Sequence, residues 1–180
     1  MKHNLNYILS VLSQEEFRLL VKTAKRRNNL FGKSIKKLIY YPYKLVKMEL
    51  PDWFYNAELD KIIQRFFKVS PQEIAREPPE KLLSFILWIK DELEAIYRLE
   101  NQYWSSPPDM DLSNAGISEL DQFGELNLID SLAGGDILRW KKVKKLPYYI
   151  VFDKVHKNAV ETKIQRNYNK ILTDKQRLNK

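Results

Sequence analysis

The chain has 180 residues, 44% of them hydrophobic and 30% charged, enough for one modest domain with an appended arm but too short for two well-developed cores. It contains no cysteine, which excludes disulfide staples and thiolate-ligated zinc. Its formal charge of +8 is sorted along the chain: residues 1–47 carry 11 Lys/Arg against 2 acids, residues 48–138 carry 7 against 18, and residues 139–180 carry 13 against 3, a pattern that points to contacts with charged surfaces rather than to a reaction.

Ser13-Gln14-Glu15-Glu16 has the spacing of a capping box, and Phe17, Leu20, Val21 and Ala24 follow at helical intervals. This first helix is expected to be interrupted or ended by Gly32. Ile35, Leu38 and Ile39 predict a second short helix, stopped before Tyr41-Pro42 because the residue before proline disfavours helical geometry. A further helix is expected from Pro51-Asp52, with Phe54, Leu59, Ile62, Ile63, Phe66 and Phe67 as one broad apolar stripe. Ser70-Pro71-Gln72-Glu73 combines a cap residue with proline at the first helical position, a strong start signal.

Glu80 to about Tyr103 has no Pro or Gly, and its apolar residues from Leu82 to Tyr97 step by threes and fours. A helix of roughly 23 residues, about 35 Å long, is predicted. Residues 107–136 are rich in Gly, Asp, Asn and Ser and read as a looped insertion, with a brief helix capped at Ser118. Ile137, Leu138, Trp140 and Val143 predict a short helix capped by Asp136. The last helix is expected to start near Tyr148 and to fray from Thr173 onward. Tyr148–Phe152 alone also suits a strand, but the helical spacing continues for some twenty residues beyond it. No pair of strong strands joined by a recognisable hairpin turn is found, so the fold class expected is all-α: a compact multi-helix domain with a long central helix, a Gly/Asp-rich loop insertion and basic terminal segments. The division expected is a basic helical arm (1–50), a helical core (51–172) and a basic tail (173–180).

Residues 1–12 lack the apolar run and cleavage site of a signal peptide, and no segment approaches the roughly 20 apolar residues of a spanning helix. A soluble protein without membrane contact is expected. Gly32-Lys33-Ser34 resembles the end of a phosphate-binding loop, but the required earlier glycine is Arg27. Asp109-Met110-Asp111 opens like a calcium loop, but its sixth position is Asn114 and its twelfth Leu120. His3 and His156 lie far apart without ligand patterns around them. Asp109, Asp111, Asp121, Asp130 and Asp136 are read as caps and turns. No catalytic residue, cofactor or metal is expected, and the chain reads as a non-enzyme.

The basic segments are the candidates for contact. Arg26, Arg27, Lys33, Lys36 and Lys37, near Tyr40, Tyr41 and Tyr43, could meet phosphates or acidic protein. Lys141, Lys142, Lys144 and Lys145 form a second cluster. Trp104, Trp140, Tyr148 and Tyr149 are candidate aromatic anchors for an interface, with a place in the core the favoured reading for each.

The stretch Pro108-Asp109-Met110-Asp111, Ala115-Gly116-Ile117, Leu120, Phe123-Gly124, then Asp130 to Trp140, Val143 and Leu146-Pro147-Tyr148 resembles small helical structural and assembly proteins of tailed bacteriophages. The resemblance covers roughly residues 78–172; the N-terminal 50 residues do not match. It implies a virion ring, head-to-tail connector or tail component, with a tail-assembly chaperone as the alternative; non-specific nucleic-acid binding, read from the basic segments themselves, is a third reading. The Lys- and Asn-rich composition suits a phage of a low-GC host, such as a crAss-like phage. Implied partners are like subunits, other phage structural proteins and packaged DNA, in a virion assembled in the host cytoplasm, or in the cytoplasm alone for a chaperone.

Overall fold

The computed structural model describes residues 13–104 and 110–178. They are mostly helical, and backbone contacts divide the chain between Tyr97 and Arg98 into two compact units. None of the described helices is long and apolar enough to cross a membrane.

In the first unit, α1 (Gln14–Thr23) ends nine residues before Gly32. Its end is tied down by Arg26, whose guanidinium donates to the Val21 and Ala24 carbonyls at 2.7 Å and to Asp91 at 3.1 Å. Gly32 has a different role. It turns an antiparallel pair, β1 (Asn29–Leu30) with β2 (Lys33–Ser34), in which Phe31 and Gly32 have φ of 51° and 71°. Positive φ at both central residues marks the turn that matches strand twist. The expectation of no hairpin is therefore corrected. It failed because Phe at a left-handed position carries no turn signal; its ring packs edge-on to Phe67 at 5.5 Å, which holds it there.

The short helix expected at Ile35–Ile39 is a single 3₁₀ turn, Leu38–Tyr40, and Tyr41 is extended ahead of Pro42 as anticipated. The Leu38 N–H donates to Glu92 at 3.1 Å. A π-helical turn, Leu45–Glu49, runs straight into α2 (Leu50–Tyr55). Pro51 lacks an N–H and crowds the preceding turn, and a widened turn relieves both. The single stripe expected over residues 54–67 is cut: Ala57 sits at φ 54°, with Glu58 N–H on the Trp53 carbonyl and Ala57 N–H on that of Phe54. This is the paired bonding that ends a helix at a left-handed residue. α3 (Leu59–Phe67) follows.

Ser70 caps α4 (Pro71–Ile74) in a complete capping box with Glu73, as the sequence indicated. α5 (Pro79–Trp104) is the long helix, 26 residues. Phe85 on α5 meets Phe66 and Phe67 of α3 edge-on, at 6.0 and 5.0 Å, beside buried Ile62, Ile63 and Ile89. Leu38, Tyr43, Leu45 and Val46 are buried too, so apolar burial in this unit begins well before residue 51.

The second unit takes in the end of α5. Much of the expected loop insertion is helical: α6 (Met110–Asn114), a 3₁₀ segment Ile117–Phe123, and α7 (Glu125–Ala133). Gly134 ends α7 at φ 69°, with Gly135 N–H returning to the Asp130 carbonyl. Glycines and acids that read as loop are thus the stops and first-turn residues of short helices. α8 (Ile137–Lys145) starts at Asp136, whose carboxylate accepts the Leu138 N–H. α9 (Tyr148–Leu178) is continuous for 31 residues, which removes the strand alternative at its start; from Thr173 to Leu178 it is helical and exposed throughout.

Candidate interaction surface

The structure separates the sequence candidates into held and exposed groups. Arg26 is committed to Asp91 and to the end of α1. Arg27 is exposed and lines a cavity of about 590 Å³ with Thr23, Phe31, Glu80 and Leu83. Lys33, Lys36 and Lys37 are exposed around the hairpin and the 3₁₀ turn. On α8, Lys141 and Lys145 are exposed one turn apart, Lys142 is exposed beside them, and Lys144 lies 5.6 Å above the Trp140 ring. That geometry gives Lys144 a cation–π contact within its own helix.

Three of the four aromatic candidates are held inside the second unit. Trp140 donates from Nε1 to Asp130 at 2.9 Å, joining α8 to α7. Trp104 stacks on Phe152 at 5.4 Å. Tyr148 is fully buried and donates to Glu100, itself 6% exposed, at 2.9 Å. Burial pushes the Tyr148 phenol far above its ordinary range, and the charge and hydrogen bond of Glu100 push it further. Tyr149 is exposed. Of the calcium-like acids, Asp109 lies outside the described residues, and no metal-holding group of His, Asp or Glu occurs among those described.

The surface that sequence reading missed is the distal half of α9. Its first turns pack inward through Tyr148, Val151 and Phe152, with Tyr103 and His156 edge-on at 4.9 Å. From Val160 to Leu178 every residue is exposed. Val160, Ile164, Tyr168, Ile171 and Leu172 recur at three- and four-residue steps within that stretch, so they form one apolar stripe. Ile164 and Ile171 are 62% and 52% exposed. Lys163, Lys170 and Arg177 fall seven residues apart, a basic row along one side of the stripe. The periodicity was visible in the sequence; the exposure of the whole run was not.

A second exposed apolar row lies on the 3₁₀ segment. Ile117, Leu120 and Phe123 are 46%, 50% and 50% exposed, and three-residue spacing in this helix type puts them on one face. Exposed Glu119 and Asp121 lie between them. Gly116 and Gly124, both at positive φ, bound the segment, and the Leu120 carbonyl accepts from the Asn127 side chain at 2.5 Å, which fixes the ridge to α7. Comparison with known proteins finds no matching family model, no similar curated protein and no similar solved structure.

Proposed function

We propose that this protein acts by contact rather than by catalysis, as an assembly component that presents α9 to a partner. The observation that carries this reading is the run from Val160 to Leu178, exposed throughout and apolar along one side. An isolated helix of that length is marginal in water, and tertiary or partner burial of an apolar face is the usual source of its stability. Exposed apolar stripes flanked by charge mark docking surfaces. Together with the resemblance to tailed-phage proteins, this supports a virion ring, connector or tail component, in contact with like subunits and other structural proteins.

Mass spectrometry of purified virions of the encoding phage tests the reading. Finding the chain at a fixed, stoichiometric copy number supports it. Absence from virions overturns it, and recovery with an unassembled tail protein would assign the chain a chaperone role instead.

A further inference from the structure

We infer that the side of α9 turned away from its apolar stripe binds the phosphate backbone of duplex DNA without reading base sequence. Its contacts are Lys163, Arg166, Lys170 and Arg177, all exposed. At about 100° per residue these four fall within about 60° around the helix axis, and they extend over about 21 Å of its length. Val160, Ile164, Tyr168, Ile171 and Leu172 occupy a separate sector of about 120°. The contact therefore leaves the stripe open and does not depend on what covers it.

The row keeps its charge. Asp174 is the one acid that borders it, and Glu161, the other acid beyond Val160, stands at the edge of the stripe and is paired with Lys157. The cations of α8 have local explanations that this row lacks. Lys142, Lys144 and Lys145 sit in the last turn of α8, where the helix dipole favours positive charge, Lys144 lies over Trp140, and Arg139 pairs with Asp136 at 3.1 Å. Lys163, Arg166 and Lys170 lie in the interior of α9, more than a turn from either end, out of reach of the dipole.

The shape of the row selects the ligand. A straight line of cations cannot close around a compact anion, so its partner is an extended polyanion. Duplex DNA carries one charge per about 1.7 Å of axis and meets such a row in any register, whereas an acidic protein would need carboxylates placed at matching intervals. Single strands are held largely by bases stacked on aromatic rings. The one aromatic residue between Val160 and Leu178 is Tyr168, which belongs to the stripe. Phosphate contacts position a protein but carry no sequence information.

Binding of the full-length chain to a short random-sequence duplex, followed by fluorescence anisotropy from about 50 to 200 mM salt, tests this. One variant carries Lys163→Gln, Arg166→Gln, Lys170→Gln and Arg177→Gln. A second carries Lys141→Gln, Lys142→Gln, Lys144→Gln and Lys145→Gln, which removes the same charge from α8. The wild type should bind at low salt and weaken steeply as salt rises. The α9 variant should bind at least about tenfold more weakly, with its salt slope reduced by about 3–4, because each phosphate contact accounts for about 0.9. Its helical circular dichroism should be unchanged, and the α8 variant should lose less affinity than it does.

A wild type that fails to bind at low salt overturns the inference, as does an α9 variant that binds like the wild type. Equal losses in the two variants also overturn it, since total charge rather than this row would then hold the DNA. Tighter binding to the single strand overturns the choice of duplex. Polyglutamate should compete only in excess of charge; competition at equal charge would assign the row to an acidic protein instead.

Discussion

Tyr148 and Glu100, 48 residues apart, close on each other through a 2.9 Å hydrogen bond in a site where neither side chain is open to water. It joins the first turn of α9 to the end of α5. Removing the carboxylate leaves a buried phenol short of its acceptor, so Glu100→Ala should destabilise the protein by about 1–3 kcal/mol, measured by urea unfolding. Tyr148→Phe should cost a similar amount.

The same pair sets an alkaline limit. The unfolded phenol ionises near its ordinary value of 10.0, whereas the folded one is held far higher. The folded state therefore retains a proton that the unfolded state loses. Stability from this group is complete below pH 10 and declines as pH rises above it. In an alkaline ultraviolet titration, Tyr148 should ionise only as the fold opens, and Tyr148→Phe should remove that late component.

Asp60 carries a linkage of the same sign at acid pH. It lies in the first turn of α3, where a carboxylate is favoured by the helix dipole, yet its Oδ1 is buried without a hydrogen-bond partner. Burial raises its pKa above the ordinary 3.8. The folded state then binds the proton more tightly, so this group's contribution falls as pH rises through the raised value. Asp60→Asn should gain stability relative to wild type as pH rises through that window and then hold the gain. Thermal unfolding from pH 3 to 7 would show the crossover; a constant difference would contradict it.

Ser70→Ala should cost about 1 kcal/mol, the usual loss for an N-cap, and displace Ile74 from its buried seat. The cap's bonds hold the Glu73 carboxyl below its ordinary value, so its contribution is present above about pH 4.5 and is lost as pH falls through the lowered value. Ser70→Ala keeps the Ser70 backbone N–H bond to Glu73, the larger cause of that lowering, so it should reduce the acid-side decline, and Glu73→Gln should abolish it.

Ile129→Ala and Ile164→Ala separate core from surface in the second unit. Ile129 is fully buried, and its truncation should cost about 2–5 kcal/mol. Ile164 is largely exposed, and its truncation in dilute protein should change stability by less than about 0.5 kcal/mol. Equal effects would mean that Ile164 is covered in solution.

Local signals made much of the fold legible. α5 was readable because no Pro or Gly interrupts its three- and four-residue steps, and α4 and α8 because Ser70 and Asp136 are caps with the right successors. The hairpin was unreadable because Phe31 takes a left-handed backbone for the sake of a ring contact with Phe67. The cut at Ala57 was unreadable for a similar reason, since alanine carries no stop signal and the break lies in bonds to Trp53 and Phe54. α7 was hidden because Gly124 and Gly134 bracket it closely, and composition averaged over the segment reads as loop. At the candidate site, charge and aromaticity could nominate residues only by type. Only tertiary contacts could show Trp140 bonded to Asp130 and the stripe from Val160 left open.

That open stripe also divides α9 by how its amide protons meet solvent. Near its start Tyr148 and Val151 are buried and Phe152 is half-buried, whereas from Val160 to Leu178 every residue is exposed and its amide is guarded by the helical hydrogen bond alone. Deuterium uptake along this single helix should therefore rise steeply past its first third in the free protein, and the step should flatten once a partner lies along the stripe.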